Sequence, residues 1–351
     1  MDIETLVLDV IEGRKKAPFL RGAFYVLSLA FQLGVRIRHL LYDRGLFKSH
    51  LSNRPVISVG NIVAGGTGKT PFVAKLVKEL VAKPGDIAIL SRGYRSQNEK
   101  GISLQVSKGF GPESSSAICG DEPYWLALET NASIWVGKDR VQSADRALEA
   151  GSHLLILEDG FQHRALKRKM DIVLLDGLDL FGKGFFLPRG YLRDSPKRLK
   201  KVDYVVVTHL EEGLDKAKIC SEIRRYTEAP ILGFKAKYSL EARVRGKKVG
   251  AFCGIAKPGI FYEALKSEGL ELVNTFTSPD HVMPSQEDLE LFAVLSKASG
   301  AEYLICTEKD FVKYEAGGSL VLPISILKMD LDCIWNENVW KEMIESIKNI
   351  K

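Results

Sequence analysis

The sequence predicts an α/β fold, a doubly wound and mostly parallel sheet followed by a second, smaller α/β domain. Apolar runs that do not alternate with polar residues recur along the chain, and helical patterns separate them. Such runs fit strands that are buried on both faces, as in a parallel sheet covered by helices. The length of 351 residues exceeds the usual single core of about 250 to 300 residues, so two domains are expected.

The predicted elements follow one another along the chain. Strands are predicted at 56–60, 87–90, 133–136, 154–157, 172–175 and 204–207, and helices at 71–81, 124–129 and 139–150. A loop is predicted from 98 to 116, where Gly, Ser and Lys are frequent. Residues 231–248 alternate and are basic, as in an exposed connecting ribbon. Strands at 249–253 and 303–306, with helices at 259–267, 285–298 and 336–347, predict the second α/β unit.

A glycine-rich stretch lies between the first predicted strand and the first helix that follows it. Its residues are Gly65, Gly66, Thr67, Gly68, Lys69 and Thr70. Glycines let backbone amides turn toward phosphate oxygens, the lysine neutralises the terminal phosphates, and the next hydroxyl can hold Mg²⁺. The strict motif has a glycine where Val63 stands, but the strand, loop and helix context is the required one. The chain therefore has a predicted P-loop NTPase-like core that binds a nucleoside triphosphate.

Other candidate site residues follow later elements. Glu158 and Asp159 end an apolar run, where phosphate-loop enzymes place a carboxylate near Mg²⁺; the alternative is a solvated strand end. Asp121 begins a predicted helix, where it either caps the helix or acts on a substrate. Arg193 lies in a loop whose guanidinium groups suit a phosphate, with an ordinary surface arginine as the alternative. His281 lies in a polar turn and is weak support alone.

Charge and cysteine usage exclude few partners. The net charge of +6 suits nucleic acid, anionic lipid or a phosphorylated substrate and selects none of them. The five cysteines show neither a CxxC pair nor a zinc spacing. A reducing cytoplasm with cysteines in the core is the simplest setting.

The amino-terminal region contains an apolar run with basic flanks. Fourteen uncharged residues, Gly22–Val35, separate Arg21 from Arg36. A spanning helix needs about 20 apolar residues, so this run is expected to be too short to cross a membrane. No small-residue cleavage site follows it, as a secretory signal requires. A helix in the membrane interface and a helix packed on the protein body remain as interpretations.

Nine sequence strings occur in one order along the chain: GNIVAGGTGKTP, SRGY, GDEP, VGKDR, EDGFQHR, LPRGYLRD, CGIAKPGIF, SPDH and TEKD. Together they closely resemble the tetraacyldisaccharide 4'-kinase family, the lipid A 4'-kinases. The resemblance extends from about Leu41 to Lys313. It implies transfer of the γ-phosphate of ATP to the 4'-hydroxyl of tetraacyldisaccharide 1-phosphate, with Mg²⁺ as cofactor.

The resemblance also implies a location, the cytoplasmic face of the bacterial inner membrane, to which the enzyme is expected to bind peripherally. A lipid substrate favours the interfacial interpretation of the first helix. We also expect a monomer with no nucleic-acid partner. From the length and the pattern of predicted elements, we divide the chain into a membrane-associating region at 1–50, a kinase core at 51–230, a linker ribbon at 231–248 and a smaller domain at 249–351 that completes the cleft.

Roles follow from the resemblance residue by residue. Lys69 is expected to bind the β- and γ-phosphates, and Thr70, Asp159 and Glu158 to hold Mg²⁺. Asp121 resembles the base for the sugar hydroxyl, His281 the histidine that assists it, and Arg193 a residue that stabilises the transferring phosphoryl group. The chain has Glu158, Tyr191, Asp194 and Val282 where the family usually has Asp, Pro, Glu and a second His.

Two other classes compete with this interpretation. A regulatory or metal-chaperone P-loop NTPase carries a similar loop, but commonly with an extra lysine where Ala64 stands. Guanine-specific relatives need an NKxD string, whereas Thr307 is followed by Glu, Lys and Asp. A membrane scaffold without catalysis would not need Lys69, Asp159 and Asp121 together.

Overall fold

The structure is a computed structural model. It describes residues 3–15, 17–80, 82–94, 96–98, 101–211, 213–255, 257–279, 282, 284–314 and 320–350. Within these ranges the strands form one twelve-stranded sheet.

The strands are β1 Val56–Asn61, β2 Ile87–Ser91, β3 Leu104–Lys108, β4 Ser133–Val136, β5 Leu154–Glu158, β6 Met170–Asp176, β7 Tyr204–Thr208, β8 Ile231–Ser239, β9 Lys248–Cys253, β10 Glu271–Thr277, β11 Tyr303–Thr307 and β12 Ile324–Trp335. The helices are α1 Ile3–Ile11, α2 Pro18–Asp43, α3 Lys69–Leu80, α4 Ser116–Cys119, α5 Asp121–Glu129, α6 Arg140–Glu149, α7 Lys216–Arg224, α8 Pro258–Ser267, α9 Gln286–Ala298, α10 Glu308–Phe311 and α11 Glu337–Lys348. The predicted strands and helices are confirmed with small shifts at their ends.

The sheet has the order β10-β9-β11-β12-β8-β7-β6-β1-β5-β2-β4-β3. Neighbouring strands are parallel except at two places, β12 with β8 and β3 with β4. Strand β1 lies between β5 and β6, and the chain runs from it toward both edges of the sheet. In open α/β sheets a ligand binds beyond the carboxyl ends of the strands at such a switch point. The end of β1 is therefore where a site is expected.

Strand β12 joins the two halves of the sheet. Its first residues pair in parallel with β11, and the rest pair antiparallel with β8. The segment 231–248, predicted as an exposed ribbon, contains β8, whose first four residues are buried. This part is therefore a sheet strand that is buried at its start, and only its later residues, such as Lys237 and Ser239, are exposed as predicted. The division of the chain into four regions remains a prediction.

The predicted loop at 98–116 was wrong in part, because it contains β3. This strand pairs antiparallel with β4 and forms the edge of the sheet. Its residues Leu104–Lys108 alternate apolar and polar, as suits an edge strand, but the run is short and lies among glycines and serines. The frequent Gly and Ser residues around β3 therefore led to the loop prediction, whereas pairing with β4 stabilises a strand there.

Helices cover both faces of the sheet, which confirms the doubly wound α/β prediction. On one face α3, α5 and α11 pack on the strands around β1, and on the other α6 and α7 do so. In the second half α8 and α9 contribute to separate cores. One aromatic cluster links the helix after the glycine-rich loop to the end of the chain: Phe72, Phe234 and Trp340 are buried with ring centroids 5.3 to 5.8 Å apart.

The apolar amino-terminal run lies in α2, which is 26 residues long. By length and composition alone, α2 is the one helix within the described ranges that could cross a membrane, and 6% of its apolar window is buried. The expectation that this segment is too short to span was therefore wrong, because the uncharged run is only part of a longer helix.

One side of α2 nevertheless contacts the rest of the protein from Tyr25 onward. Tyr25 packs edge-on against Phe185 at 6.1 Å between ring centroids, and Phe31 packs against Phe186 at 6.2 Å. Large apolar side chains elsewhere on α2 are exposed: Phe19, Val26, Leu27, Leu29, Leu33, Ile37 and Leu40. A helix that is docked on one side and apolar on the other suits the surface of a membrane.

The aromatic cluster gives a test of stability. Trp340→Ala is expected to lower the free energy of unfolding by about 3 to 5 kcal/mol, because it opens a cavity between α3, β8 and α11. Urea denaturation followed by circular dichroism measures the change. Phe110 is 84% exposed, so the control Phe110→Ala is expected to change stability by less than about 0.5 kcal/mol. Equal losses of unfolding free energy in the two variants would contradict a stabilising role for the aromatic cluster.

Candidate active site

The glycine-rich loop joins β1 to α3 at the carboxyl edge of the sheet. Gly65 and Gly68 have φ of 106° and 71°, which is backbone that side chains rarely adopt. A Cβ placed on Gly65 or Gly66 would meet no atom within 4 Å. These glycines therefore serve the path of the backbone and leave open space beside it, as a loop that wraps around phosphates requires.

Side chains at the ends of β1 and β7 hold this loop in shape. Asn61 Nδ2 donates to Thr67 Oγ1 at 3.0 Å, and Thr208 Oγ1 donates to the Thr67 carbonyl oxygen at 3.0 Å. Thr67 is buried, and Lys69 is the first residue of α3. Val63, which replaces the first glycine of the strict motif, is buried and forms an isolated bridge with Leu192. The loop is thus anchored at both ends before any ligand binds.

Asp159 lies directly after β5 with a left-handed φ of 52°. Arg193 Nη1 donates to Oδ2 at 3.0 Å and Nη2 to Oδ1 at 2.6 Å, while Lys69 Nζ is 3.6 Å from Oδ1. Burial acts to raise the pKa of Asp159, but Lys69 and Arg193 outweigh it and hold the pKa well below its usual range. Lys69, predicted to bind phosphate, and Arg193, predicted to stabilise the phosphoryl group, therefore meet at the predicted metal ligand Asp159. The lowered pKa keeps this carboxylate ionised.

Glu158 is the buried last residue of β5. It accepts a hydrogen bond from Ser91 Oγ at 3.0 Å. Burial, with the nearby charges of Glu122 and Asp159, raises the pKa of Glu158 above its ordinary value. A cation placed here would relieve the repulsion between these carboxylates.

The residues present fit Mg²⁺. The structure shows no cluster of three or more His, Cys, Asp or Glu side chains suited to a metal in the part of the chain that it describes. A phosphate-loop Mg²⁺ site needs no such cluster, because its ligands are the loop hydroxyl, a carboxylate, water and the phosphates themselves. Thr70, Asp159 and Glu158 supply oxygen donors of this kind at one edge of the sheet.

Asp121 is the first residue of α5, and Gly120 occupies the cap position. Asp121 is therefore not the helix cap. Lys313, which follows α10 in the second half of the chain, places Nζ 3.0 Å from Asp121 Oδ2, and both side chains are largely shielded from solvent. The predicted base thus forms an ion pair with a residue from the second half of the chain.

A second ionic contact joins the two halves of the chain. Lys257, which precedes α8, has Nζ 3.9 Å from Asp176 Oδ2 at the end of β6, and His209 Nδ1 is 3.1 Å from the same atom. His281, predicted as the partner of Asp121, lies outside the described residues, so its role remains a prediction. The backbone of Val282 donates to Pro279 at 3.0 Å.

Sequence reasoning missed several residues of this site. Gln162 Oε1 accepts from Arg193 at 3.1 Å, and Asn61 Oδ1 accepts from the same guanidinium at 2.6 Å. Arg140 is buried and acts electrostatically on Glu158 and Asp159. Gln162 and Arg140 belong to the strings EDGFQHR and VGKDR, and their place in these family-like strings could have marked them as site residues. No sequence pattern indicated that Lys313 belongs to the site, because its partner Asp121 lies on a distant element.

Comparisons with known proteins agree along most of the chain. A family model described as Tetraacyldisaccharide-1-P 4'-kinase matches residues 20–348. A Tetraacyldisaccharide 4'-kinase of Geobacter sulfurreducens is 38% identical over 320 residues, covering 88% of this chain and 90% of the relative. One of Geobacter metallireducens is 37% identical over 302 residues, covering 82% and 87%. The crystal structure of the "apo" form of LpxK from Aquifex aeolicus in complex with ATP is similar with a TM-score of 0.75 and 29% identity, covering 94% of this chain and 99% of that chain.

The environment of His163 predicts a pH dependence of stability. Burial first, and then the charges of Arg140 and Arg168, lower the pKa of His163 to about 4. The unfolded chain, with an ordinary value near 6.5, therefore binds the proton more readily, and stability is lost as the pH falls from about 6.5 toward 4. Between pH 7 and pH 5 the wild type is expected to lose about 1 to 2 kcal/mol more than His163→Gln.

Urea denaturation at the two pH values measures this difference. His153 is exposed, so His153→Gln serves as the control and is expected to keep the wild-type pH dependence. A His163→Gln protein that loses as much stability as the wild type would contradict the assignment.

Proposed function

The chain belongs to the tetraacyldisaccharide-1-P 4'-kinase family, and we propose that its cleft transfers the γ-phosphate of ATP to the 4'-hydroxyl of tetraacyldisaccharide 1-phosphate in lipid A biosynthesis. The observation that carries this proposal is the meeting of Lys69 and Arg193 at Asp159, beside an open glycine-rich loop. This arrangement places two cations and an ionised carboxylate where the phosphates of a nucleotide would lie. The rest of the assignment follows from these groups.

The phosphates of ATP bind the backbone amides of residues 65–68, with Lys69 at the β- and γ-phosphates. Thr70 and Asp159 would hold Mg²⁺, with Glu158 beside them, and the bound ion would neutralise part of the phosphate charge. In the structure, the Arg193 guanidinium donates hydrogen bonds to both carboxylate oxygens of Asp159. Entry of the anionic phosphates offers this guanidinium a competing partner, so that Arg193 turns to the transferring group and Asp159 becomes free for the metal.

Asp121 takes the proton of the 4'-hydroxyl as the sugar oxygen bonds to the γ-phosphorus and the bond from that phosphorus to the bridging oxygen of ADP breaks. A carboxylate suffices as base if the proton moves late, which a loose phosphoryl-transfer transition state allows. Support for this role is the position of Asp121 at the start of α5, paired with Lys313 across the cleft. His281 is proposed to orient Asp121.

We propose that α2 binds the cytoplasmic face of the inner membrane peripherally. The exposed apolar side chains of α2 and the exposed Arg21 and Arg36 suit an anionic lipid surface. The contacts of α2 with Phe185 and Phe186 keep its other side on the protein. A lipid substrate would reach the cleft along this surface. The monomeric state and the absence of a nucleic-acid partner remain expectations.

Phosphoryl transfer is tested with purified full-length protein in detergent, Mg²⁺, γ-labelled ATP and tetraacyldisaccharide 1-phosphate. Label at the 4' position of the lipid is the expected result. Hydrolysis of ATP without labelled lipid would favour a regulatory or metal-chaperone NTPase. The absence of both reactions would contradict the proposed use of the loop.

Two variants separate nucleotide binding from base catalysis in the same assay. Lys69→Ala is expected to lower transfer by about a hundredfold or more and to weaken ATP binding. Asp121→Asn is expected to lower kcat by a similar factor, about 10² or more, with ATP binding nearly intact. Asp332 is half exposed on β12, and the control Asp332→Asn is expected to keep wild-type turnover. Near wild-type turnover in Asp121→Asn would show that the base is another group.

A further inference from the structure

Helix α2 reaches the active site through two consecutive residues. Arg38 Nη2 donates to the Gln162 carbonyl oxygen at 2.8 Å, and His39 Nε2 lies 3.0 and 3.1 Å from the two carboxylate oxygens of Asp194. The side-chain oxygen of Gln162 accepts a hydrogen bond from Arg193, and Asp194 directly follows Arg193 in sequence. Helix α2 therefore contacts two residues next to Arg193: Gln162, which bonds to its guanidinium, and Asp194, which follows it in sequence.

The pair of His39 and Asp194 is enclosed. The side chain of Asp194 is 1% exposed and that of His39 is 12% exposed. Asp194 Oδ1 also accepts from the Ser195 amide at 2.8 Å. A buried carboxylate that lost the imidazole donor would keep its charge with fewer hydrogen bonds, which destabilises the loop around it.

The proton on His39 can be placed from its partners. Arg164 Nη1 lies 3.3 Å from His39 Nδ1, and the same guanidinium donates to the His39 carbonyl oxygen and to Asp43. Arginine only donates, so Nδ1 accepts and Nε2 carries the hydrogen that Asp194 receives. Arg164 thus fixes the imidazole in the tautomer that serves Asp194.

The loop that carries Asp194 runs beside the start of the phosphate loop. The amides of Arg193 and Asp194 both donate to the Ile62 carbonyl oxygen, at 2.8 and 3.1 Å, and the Ala64 amide donates to Tyr191 at 2.6 Å. A shift of Asp194 would therefore move the backbone of Arg193 together with residues 62–64. Misplacement of a phosphate-binding group by about 1 Å costs up to about a hundredfold in rate.

We propose that His39 is a positioning residue, which holds Arg193 in place through Asp194 and makes the docked position of the lipid-facing helix a requirement for turnover. The inference rests on the proposed function, because it assigns Arg193 to the transferring phosphoryl group. It adds that α2 is part of the active-site architecture and not only an attachment to lipid. The pair spans 155 positions of sequence, so it couples two distant parts of the chain.

The test compares two amides that differ by one methylene. His39→Gln extends an amide donor nearly as far as Nε2, whereas His39→Asn reaches only as far as Nδ1. His39→Asn is expected to lower kcat for lipid phosphorylation by about tenfold or more, because a hydrogen bond to a buried charge is lost. His39→Gln is expected to stay within about threefold of wild type. The double variant His39→Asn with Asp194→Glu, which pairs the short donor with a longer acceptor, is expected to recover activity.

Full-length proteins are assayed in vesicles of phosphatidylethanolamine and phosphatidylglycerol, with kcat, KM for the lipid, ATP binding and vesicle flotation measured for each. Ser28 is buried on the same helix and donates to the Tyr25 carbonyl, and Ser28→Ala is the control that is expected to keep wild-type kcat. A lower kcat in His39→Asn with unchanged flotation and ATP binding supports positioning.

Three outcomes would overturn the inference. They are unchanged kcat in His39→Asn, equal losses in the Asn and Gln variants, and a loss that appears only as raised KM for the lipid or failed flotation. If wild-type protein labels no lipid, the proposed function fails separately. The same comparison among variants is then made on ATP hydrolysis, where equal rates in wild type and His39→Asn overturn the inference.

Discussion

The ionised carboxylate of Asp159, held between Lys69 and Arg193, is the interaction on which the rest of the site depends. It joins the end of β5, the start of α3 and the loop before β7 at a single point. Asp159 adopts a left-handed backbone to reach this position, and the surrounding contacts must stabilise that conformation. Lys69 and Arg193 give the site two cationic groups that an anionic ligand such as a nucleotide phosphate can bind.

The fold brings distant segments to this point in two ways. A continuous sheet, joined through β12, holds the second half of the chain beside the first, and ion pairs of Lys313 with Asp121 and of Lys257 with Asp176 connect the two halves. On the other side α2 reaches the neighbours of Arg193 through its polar residues. The proposed lipid-binding helix, the proposed nucleotide loop and the proposed base, Asp121, thus all lie at one edge of the parallel strands.

The parts that sequence predicted are those whose physical cause is local. The strand, the glycine-rich loop and the start of α3 follow from apolar runs, from glycines at positive φ and from helical spacing. Strand β3 was missed because its stability comes from pairing with β4, and the length of α2 was underestimated because charged residues continue the helix beyond its apolar run. The partners of Arg193, Asp121 and Asp194 could not be predicted, since contacts between distant segments leave no pattern in a single sequence.

A crystal structure with Mg²⁺ and a non-hydrolysable ATP analogue would show whether the glycine-rich loop and Asp159 bind the nucleotide as proposed. We expect phosphates on residues 65–68, Mg²⁺ at Thr70 with Asp159 as a ligand directly or through water, and Arg193 turned from Asp159 to the γ-phosphate. A nucleotide bound away from this loop, or an Arg193 that still donates to both oxygens of Asp159 with the metal elsewhere, would contradict this arrangement.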